Sequence, residues 1–292
     1  MTAPLHDMQD APEWAQLGIV PGVALRAFGM RRSGNHAIAD WIMRNAPGDH
    51  AVFLNNCKPG ASPLDSFASI EVDGEKQAVR RARGNLPGET TRIGDGALLL
   101  VSYEDLSPAD FGKKRQVSGA FNADLFDFDI LIYRSFLNWS ASLIKKLQSN
   151  PGYGPMRRVA IMLNTADRYA RMLELVGTAP NNGMVPICYD RWFVDGAYRE
   201  GVLGQLGLPV RDNAVGEVQS YGGGSSFQKD AAAPEELQTS ERWRQMAQDA
   251  DFRAFLSIAA REMDLMAQVE AHFPEDAARL IQGDLVASVS EG

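Results

Sequence analysis

Five apolar runs of strand length, separated by turns and helical patterns, constrain this chain more than any other feature. Residues 97–101 are continuously apolar, which is typical of a strand buried on both faces of a sheet. Pro186, in the last run, indicates an edge or irregular position because proline cannot donate to a neighbouring strand. Strands that alternate with helices predict an α/β fold in which helices cover both faces of a mainly parallel sheet. The runs lie at 23–28, 51–54, 97–101, 128–133 and 184–189, with helical patterns at 37–42, 137–147, 157–176 and 197–206.

Length and composition favour one domain. A chain of 292 residues, 45% of them hydrophobic, can build one large core. The charged fraction of 23% is ordinary and argues against bulk disorder. We expect a mobile N-terminal lead-in over residues 1–20, a single α/β domain over 21–275 and a weakly ordered C-terminal tail over 276–292.

Charge and cysteine content exclude several classes of protein. A net charge of −8 does not help binding to a polyanion, so we expect no nucleic-acid partner. No apolar run approaches the ~20 residues of a membrane span, and the polar start of the chain is not a signal peptide. Cys57 and Cys188 are far apart and read as reduced thiols, so we expect a cytoplasmic protein.

The first candidate site is the turn between the first apolar run and the helical pattern after it. Backbone N–H groups at a helix start lack intrahelical partners and carry about half a positive charge, so the turn predicts an anion-binding loop. Glycine lets the backbone approach an oxyanion closely, and arginine adds charge. The alternative is an ordinary turn with solvated arginines. The candidate ligands are Gly29, Arg31, Arg32, Ser33, Gly34, Asn35 and His36.

The second candidate site follows the run at 128–133. Arg134 ends this run, and open α/β sheets bind ligands beyond the carboxyl ends of their strands. Ser142 lies eight residues further on, within the next helical pattern. A guanidinium offers a bidentate fork to a phosphate, and a hydroxyl adds a hydrogen bond. The pair predicts a second phosphate site, whereas an arginine alone at such a position is usually structural or solvated.

Taken together, the two sites resemble those of the PAPS-dependent sulfotransferase family. Arg32-Ser33-Gly34 matches the loop that in this family holds the 5′-phosphosulfate of 3′-phosphoadenosine 5′-phosphosulfate (PAPS), and Arg134 with Ser142 matches the pair that holds the 3′-phosphate. Segments 189–192 and 203–208 resemble the family's tyrosine–acid segment and its F/L-x-L-G-L helix end. The resemblance covers about residues 23–230. It implies a P-loop NTPase-like three-layer fold, PAPS as sulfuryl donor, no metal ion, and in-line transfer to a hydroxyl.

Two parts of the chain depart from the family pattern. Asn35 and His36 stand where the family usually has threonine or serine, although Asn35 can still donate to a phosphate oxygen. The family's distal loop usually carries Arg-Lys-Gly, whereas residues 221–227 read Tyr-Gly-Gly-Gly-Ser-Ser-Phe. A plain linker is one interpretation of this loop. The other is a flexible loop that closes over the ligand through Gly223, Gly224 and Ser225.

Transfer to a hydroxyl needs a general base and stabilisation of the leaving phosphate. Arg32 and the helix start would stabilise the leaving group. Glu104 is the first candidate base because it follows a buried run at the carboxyl edge of the sheet; an acid that complements the next helix is the alternative. His36 is the second candidate, although anions in the loop would tend to protonate it. Asn55 and Asn56 are candidates for acceptor binding.

Two other functions remain open. A P-loop kinase or other ATP-dependent phosphotransferase would bind Mg·ATP, but the loop lacks the lysine and hydroxyl of G-x-x-x-x-G-K-[ST]. A non-catalytic nucleotide-binding protein of the same fold would bind without turnover. The acceptor expected from the family is a small molecule or glycan, with a carbohydrate hydroxyl as first choice. The sequence leaves the oligomeric state open.

Overall fold

The computed structural model describes residues 11–110, 116–216 and 241–282, and this part of the chain forms a three-layer α/β fold. Its central sheet has seven strands in the order β4-β3-β2-β5-β1-β6-β7. The strands are β1 Val23–Gly29, β2 Ala51–Asn55, β3 Ser69–Val72, β4 Glu75–Lys76, β5 Leu98–Glu104, β6 Phe128–Tyr133 and β7 Met184–Cys188. The predicted fold class is confirmed.

Five neighbouring strands run parallel, and they are the five apolar runs of the sequence. β1 and β5 are central and almost wholly buried, which explains why their side chains are apolar on both faces. Gly29, at the end of β1, pairs with Glu104 on one side and Ile132 on the other. β7 lies at the edge of the sheet, as Pro186 predicts, and pairs with β6.

The hairpin of β3 and β4 was not predicted. β3 pairs antiparallel with β2, so it covers an edge that would otherwise expose unpaired backbone groups. Asp73 and Gly74 join the two strands with φ angles of 53° and 76°. An Asp-Gly turn of this kind is a recognised hairpin signal. The charged Glu71 interrupts the apolar pattern of residues 69–72, so the pattern did not predict a strand there.

Helices cover both faces of the sheet, and the described ones are α1 Pro12–Leu17, α2 Asn35–Arg44, α3 Pro63–Ser66, α4 Val79–Gly84, α5 Leu86–Thr90, α6 Phe136–Gln148, α7 Pro155–Thr178, α8 Tyr189–Val194, α9 Gly196–Gln205, α10 Arg242–Met246, α11 Ala250–Ala259, α12 Met263–His272 and α13 Pro274–Gln282. α2, α8 and α9 pack on one face, and α1 and α7 pack on the other. α6, α7 and α10–α13 share a further apolar cluster. None of the described helices is both long and apolar enough to span a lipid bilayer.

The described parts of the expected mobile lead-in and weakly ordered tail contain helices, whereas residues 1–10 and 283–292 of these two segments lie outside the described residues. Residues 12–17 form a helix in which Trp14 and Leu17 are buried, and Trp14 packs edge-on against Phe121. At the other end, residues 276–282 are helical, with Asp276, Ala277 and Leu280 buried. An aromatic or amphipathic segment of one or two turns gains its stability from packing, which local pattern does not show.

Asp276 attaches α13 to the start of α6. Its Oδ2 accepts a hydrogen bond from the Leu137 N–H at 3.0 Å. Burial raises the pKa of Asp276 to about 6, and hydrogen bonds from Leu137 and the Ser135 side chain offset only part of that rise. The C-terminal helix is thereby joined to the turn that carries Arg134.

Replacing Asp276 with asparagine is expected to remove a pH-dependent loss of stability. The folded protein holds a proton that the unfolded chain, with a pKa of about 3.9, releases; wild-type stability therefore falls as pH rises from about 4 to about 6 and stays lower above that. The Asp276→Asn variant keeps an acceptor for Leu137 without the charge. Its advantage in unfolding free energy should grow by about 2 kcal/mol between pH 4 and pH 7. Urea unfolding at several pH values measures this, and a pH-independent difference would contradict it.

Candidate functional site

The predicted phosphate loop connects β1 to α2 at the carboxyl edge of the sheet. Gly34 is the N-cap of α2 with a φ of 91°, and no side chain caps the first turn. Glycine supplies no capping side chain, and the N–H groups at the start of a helix form a natural site for an anion. A Cβ on Gly34 would lie 2.0 Å from the Tyr189 ring, so only glycine fits there. Arg32 also has a positive φ of 71°, a conformation that costs roughly 1–3 kcal/mol and is typical of ligand-binding loops.

Ser33 places an unsatisfied hydroxyl in this loop. Its side chain is fully buried, and among the described residues its Oγ has no hydrogen-bond partner. Its backbone N–H donates to the Met30 carbonyl at 3.1 Å, which closes the turn. A buried hydroxyl without a partner costs about 1–3 kcal/mol. The arrangement fits a bound oxyanion that accepts the serine hydrogen.

The second cluster comprises Arg134 after β6, Ser142 on α6 and Arg242 at the start of α10. Arg242 Nη1 donates to Ser142 Oγ at 3.1 Å, across 100 residues of sequence. All three side chains are buried, with at most 6% of the residue exposed. Arg242 thus bonds to Ser142 and lies close enough to Arg134 for their charges to repel, so a second guanidinium accompanies the predicted pair.

The loop and the second cluster contact each other. Arg134 Nη1 donates to the carbonyl oxygen of Arg32 at 3.4 Å. Burial lowers the pKa of Arg32 and of Arg242, and repulsion from Arg134 lowers both further. The pKa of Arg242 falls to about 9, so this side chain remains charged at neutral pH. Two buried guanidinium groups, Arg134 and Arg242, beside the half-buried Arg32 fit an anionic ligand that would neutralise them.

Tyr189 and Asp190 hold Arg134 in place. Asp190 Oδ1 lies 3.7 Å from Arg134 Nε, and its Oδ2 accepts a hydrogen bond from the Ser135 N–H at 2.6 Å. The Arg134 guanidinium lies over the Tyr189 ring, 4.8 Å from its centroid, in a cation–π contact. Trp192 stacks on Tyr189 with ring centroids 5.7 Å apart. The segment after β7 therefore orients the arginine of the second cluster.

The contacts that the structure gives for Arg31 are with other residues of the protein. Its side chain forms an ion pair with Asp105, and its backbone N–H donates to Asp105 Oδ1 at 2.9 Å. Its carbonyl accepts a hydrogen bond from Trp139 Nε1 at 3.1 Å. These contacts tie the loop to the segment after β5 and to α6. A contact between Arg31 and a phosphate stays a prediction.

Glu104, the first candidate base, ends β5 beside Gly29. Burial and the neighbouring Asp105 raise the pKa of Glu104. A hydrogen bond from Asn35 and the charges of the two loop arginines lower it, but the rise prevails. A carboxylate with a raised pKa accepts a proton more readily than an ordinary one, which suits a general base at this edge of the sheet.

His36, the second candidate base, lies on the first turn of α2. Burial, Arg32 and Lys76 all lower its pKa below the ordinary value. In the free protein His36 is therefore neutral at pH 7, whereas the sequence argument expects anions in the loop to protonate it. The positive charges around it come from Arg32 and from Lys76 on β4, a strand that was not predicted.

Arg242 is the site residue that the sequence argument missed. The predicted ligand-closing loop with Gly223, Gly224 and Ser225, which lacks the basic pair of the family, lies outside the described residues. Arg242 stands in the short polar segment Glu241-Arg242-Trp243-Arg244, where two arginines flank a tryptophan. The only available signal was an arginine beside that aromatic anchor, which is common in ordinary helices.

Comparisons with known proteins give one structural match. No protein-family model matches the chain. No curated protein matches it. Among solved structures, the chain is similar to mouse sulfotransferase SULT7A1 complexed with PAP, with 14% sequence identity, a TM-score of 0.47 and 95% of each chain covered.

Proposed function

We propose that this protein is a sulfotransferase that moves a sulfuryl group from PAPS to a hydroxyl acceptor. The observation that carries the proposal is the contact between two anion-binding clusters at one edge of the sheet. One cluster has the α2 N-terminus and the unsatisfied Ser33 hydroxyl. The other has Arg134, Ser142 and Arg242. A nucleotide with a 5′-phosphosulfate and a 3′-phosphate presents two anionic groups on one ribose, which matches this pair.

The residues of the site have separate roles in the sulfuryl transfer. Glu104 takes the proton of the acceptor hydroxyl as the acceptor oxygen bonds to sulfur. The bond between sulfur and the 5′-phosphate oxygen breaks, and its electron pair stays on that oxygen. Arg32 and the α2 N-terminus stabilise the charge that develops there. Because the transferred group is loosely bonded, positioning and charge stabilisation supply most of the catalysis.

The acceptor would approach from the side of β2. Asn55 ends this strand, and its side chain bonds to Ser69 and Ser102. Asn56 follows, exposed and with a positive φ of 49°. Asn56 is therefore the better candidate of the two for contacting an acceptor. A carbohydrate hydroxyl remains the acceptor we propose.

Calorimetric titration with adenosine 3′,5′-bisphosphate (PAP) and with Mg·ATP tests the donor assignment. We expect PAP to bind selectively, and EDTA to leave its affinity unchanged. Tighter binding of Mg·ATP than of PAP would overturn the proposal in favour of a phosphotransferase.

Alanine variants of two serines on α6 test the 3′-phosphate assignment. Ser142→Ala removes the hydroxyl that bonds to Arg242, and we expect it to weaken PAP binding by about tenfold, the equivalent of one hydrogen bond to a charged group. Adenosine 5′-monophosphate, which lacks the 3′-phosphate, should lose no affinity. Ser140→Ala is the matched control because Ser140 is also fully buried but bonds to the Leu137 carbonyl. Equal weakening of both nucleotides by Ser142→Ala would contradict the 3′-phosphate assignment.

A further inference from the structure

Two stacked aromatic side chains contact the backbone of both anion-binding clusters. Trp139 lies on α6 and Tyr169 on α7, and both side chains are almost wholly buried. Their rings stack with centroids 4.4 Å apart and an angle of 22° between the planes. The Phe136 ring packs against both, with its centroid 5.8 Å from that of Trp139 and 5.4 Å from that of Tyr169. Rings packed this closely in a protein core have little room to shift.

Each of the two stacked rings donates one hydrogen bond, and the two acceptors belong to different clusters. Trp139 Nε1 donates to the Arg31 carbonyl in the phosphate loop at 3.1 Å. The Tyr169 hydroxyl donates to the Arg134 carbonyl in the second cluster at 2.6 Å. Burial raises the pKa of Tyr169 well above its usual value, so the phenol keeps its proton and remains a donor. The contacts therefore run from one cluster through two rings to the other.

We propose that Trp139 and Tyr169 are a positioning pair, which fixes the separation of the two clusters and so selects a nucleotide with anionic groups at both its 3′ and 5′ positions. The inference rests on the proposed function, because PAPS offers one anionic group to each cluster. A ligand held at two points gains its second contact at a high effective concentration only if the two sites match the spacing of its groups.

The direct contact between the clusters is less suited to hold this spacing. It is the hydrogen bond from Arg134 Nη1 to the Arg32 carbonyl, and its length of 3.4 Å is beyond the usual range. It also uses the guanidinium that is proposed to bind the 3′-phosphate. The stack uses no group that the proposed ligand needs, so it can hold the same separation before and after the nucleotide binds.

Phenylalanine variants of the two residues test the inference, because each variant keeps an aromatic ring and removes one hydrogen bond to a carbonyl. Calorimetry compares PAP with adenosine 5′-monophosphate, which has no 3′-phosphate for the second cluster. We expect Tyr169→Phe to weaken PAP binding about tenfold, the equivalent of one buried hydrogen bond, and to weaken adenosine 5′-monophosphate binding less than threefold. Trp139→Phe should also weaken PAP binding about tenfold.

Two control variants make the same chemical changes elsewhere in the core. Tyr103 is also buried and donates a hydrogen bond, to Ser118 Oγ at 3.2 Å, but its ring lies in a different apolar cluster from the stack. Trp41 is fully buried, and among the described residues its Nε1 has no hydrogen-bond partner. We expect Tyr103→Phe and Trp41→Phe to bind PAP within threefold of the wild-type affinity.

The double variant distinguishes one shared separation from two independent supports. If the stack fixes the separation, release of either end is enough, so Tyr169→Phe combined with Trp139→Phe should bind PAP no more than about threefold more weakly than either single variant. Independent supports would make the two losses multiply to about 100-fold. If the Trp139 variants do not fold, the comparison of the two nucleotides in Tyr169→Phe decides the inference.

The outcomes separate this inference from the proposed function. A multiplied loss in the double variant, an equal loss for both nucleotides in Tyr169→Phe, or wild-type PAP affinity in that variant would overturn the inference and leave the function standing. A wild-type protein that does not bind PAP would overturn the proposed function and the inference with it.

Discussion

The Arg242→Met variant is expected to bind PAP at least 100-fold more weakly than the wild-type protein, yet to unfold at a higher temperature. Each hydrogen bond from the guanidinium to the 3′-phosphate is charge-assisted and contributes about 1.5–3 kcal/mol, so a bidentate contact accounts for this loss. In the free protein, burial and repulsion from Arg134 and Arg32 lower the pKa of Arg242 to about 9. Methionine fills a similar volume without that cost, which should stabilise the fold by about 1–3 kcal/mol.

Arg158→Met is the matched control for the expected loss of PAP affinity and gain of stability in Arg242→Met. Arg158 is also largely buried, but its Nη2 lies 2.6 Å from Asp251 Oδ2, and it is not part of the arginine cluster. Its removal leaves a buried carboxylate without its cation, so we expect a loss of about 3 kcal/mol and no change in PAP affinity. Calorimetry and thermal unfolding measure both variants. A lower melting temperature for Arg242→Met, or wild-type PAP affinity, would contradict the prediction.

Gly34→Ala is expected to abolish PAP binding and to destabilise the fold by about 3 kcal/mol or more. A φ of 91° costs an L-residue about 1–2 kcal/mol. The new methyl group would also overlap the Tyr189 ring, 2.0 Å away, and overpacking of this kind costs about 1–3 kcal/mol. If the new methyl group or the Tyr189 ring moved to relieve this overlap, the loop would shift relative to Arg134, which the Tyr189 ring contacts.

Gly96→Ala separates the cost of the backbone conformation from the cost of the overlap with Tyr189. Gly96 has a nearly equal φ of 88°, and no atom lies within 4 Å of a Cβ placed there. We expect this variant to lose about 1–2 kcal/mol and to keep its PAP affinity. Urea unfolding and calorimetry compare the two proteins. Equal destabilisation of both would show that the contact with Tyr189 is unimportant and would refute the prediction.

Local pattern predicted the parallel part of the fold well. The five apolar runs became the five parallel strands, because strands in the middle of a parallel sheet are covered on both faces and need mostly apolar side chains. The apolar pattern did not predict the β3–β4 hairpin because its first strand is short and carries the buried Glu71. Pairing with β2 and β4 and packing of Ile70 and Val72 in the core stabilise this strand, and neither is visible in a local pattern.

The sequence by itself determined the strand–turn–helix unit that carries Ser33 and Gly34, and the strand end that carries Arg134. Both follow from residue spacing, since a glycine-bounded turn between a strand and a helix leaves helix N–H groups open. Tertiary structure alone decided that Arg242 meets Ser142 and that Asp105 engages Arg31. The first contact joins residues 100 positions apart through the packing of two helices, and the second joins residues 74 positions apart because β1 and β5 are neighbours in the sheet. Residue spacing encodes neither the helix packing nor the strand order.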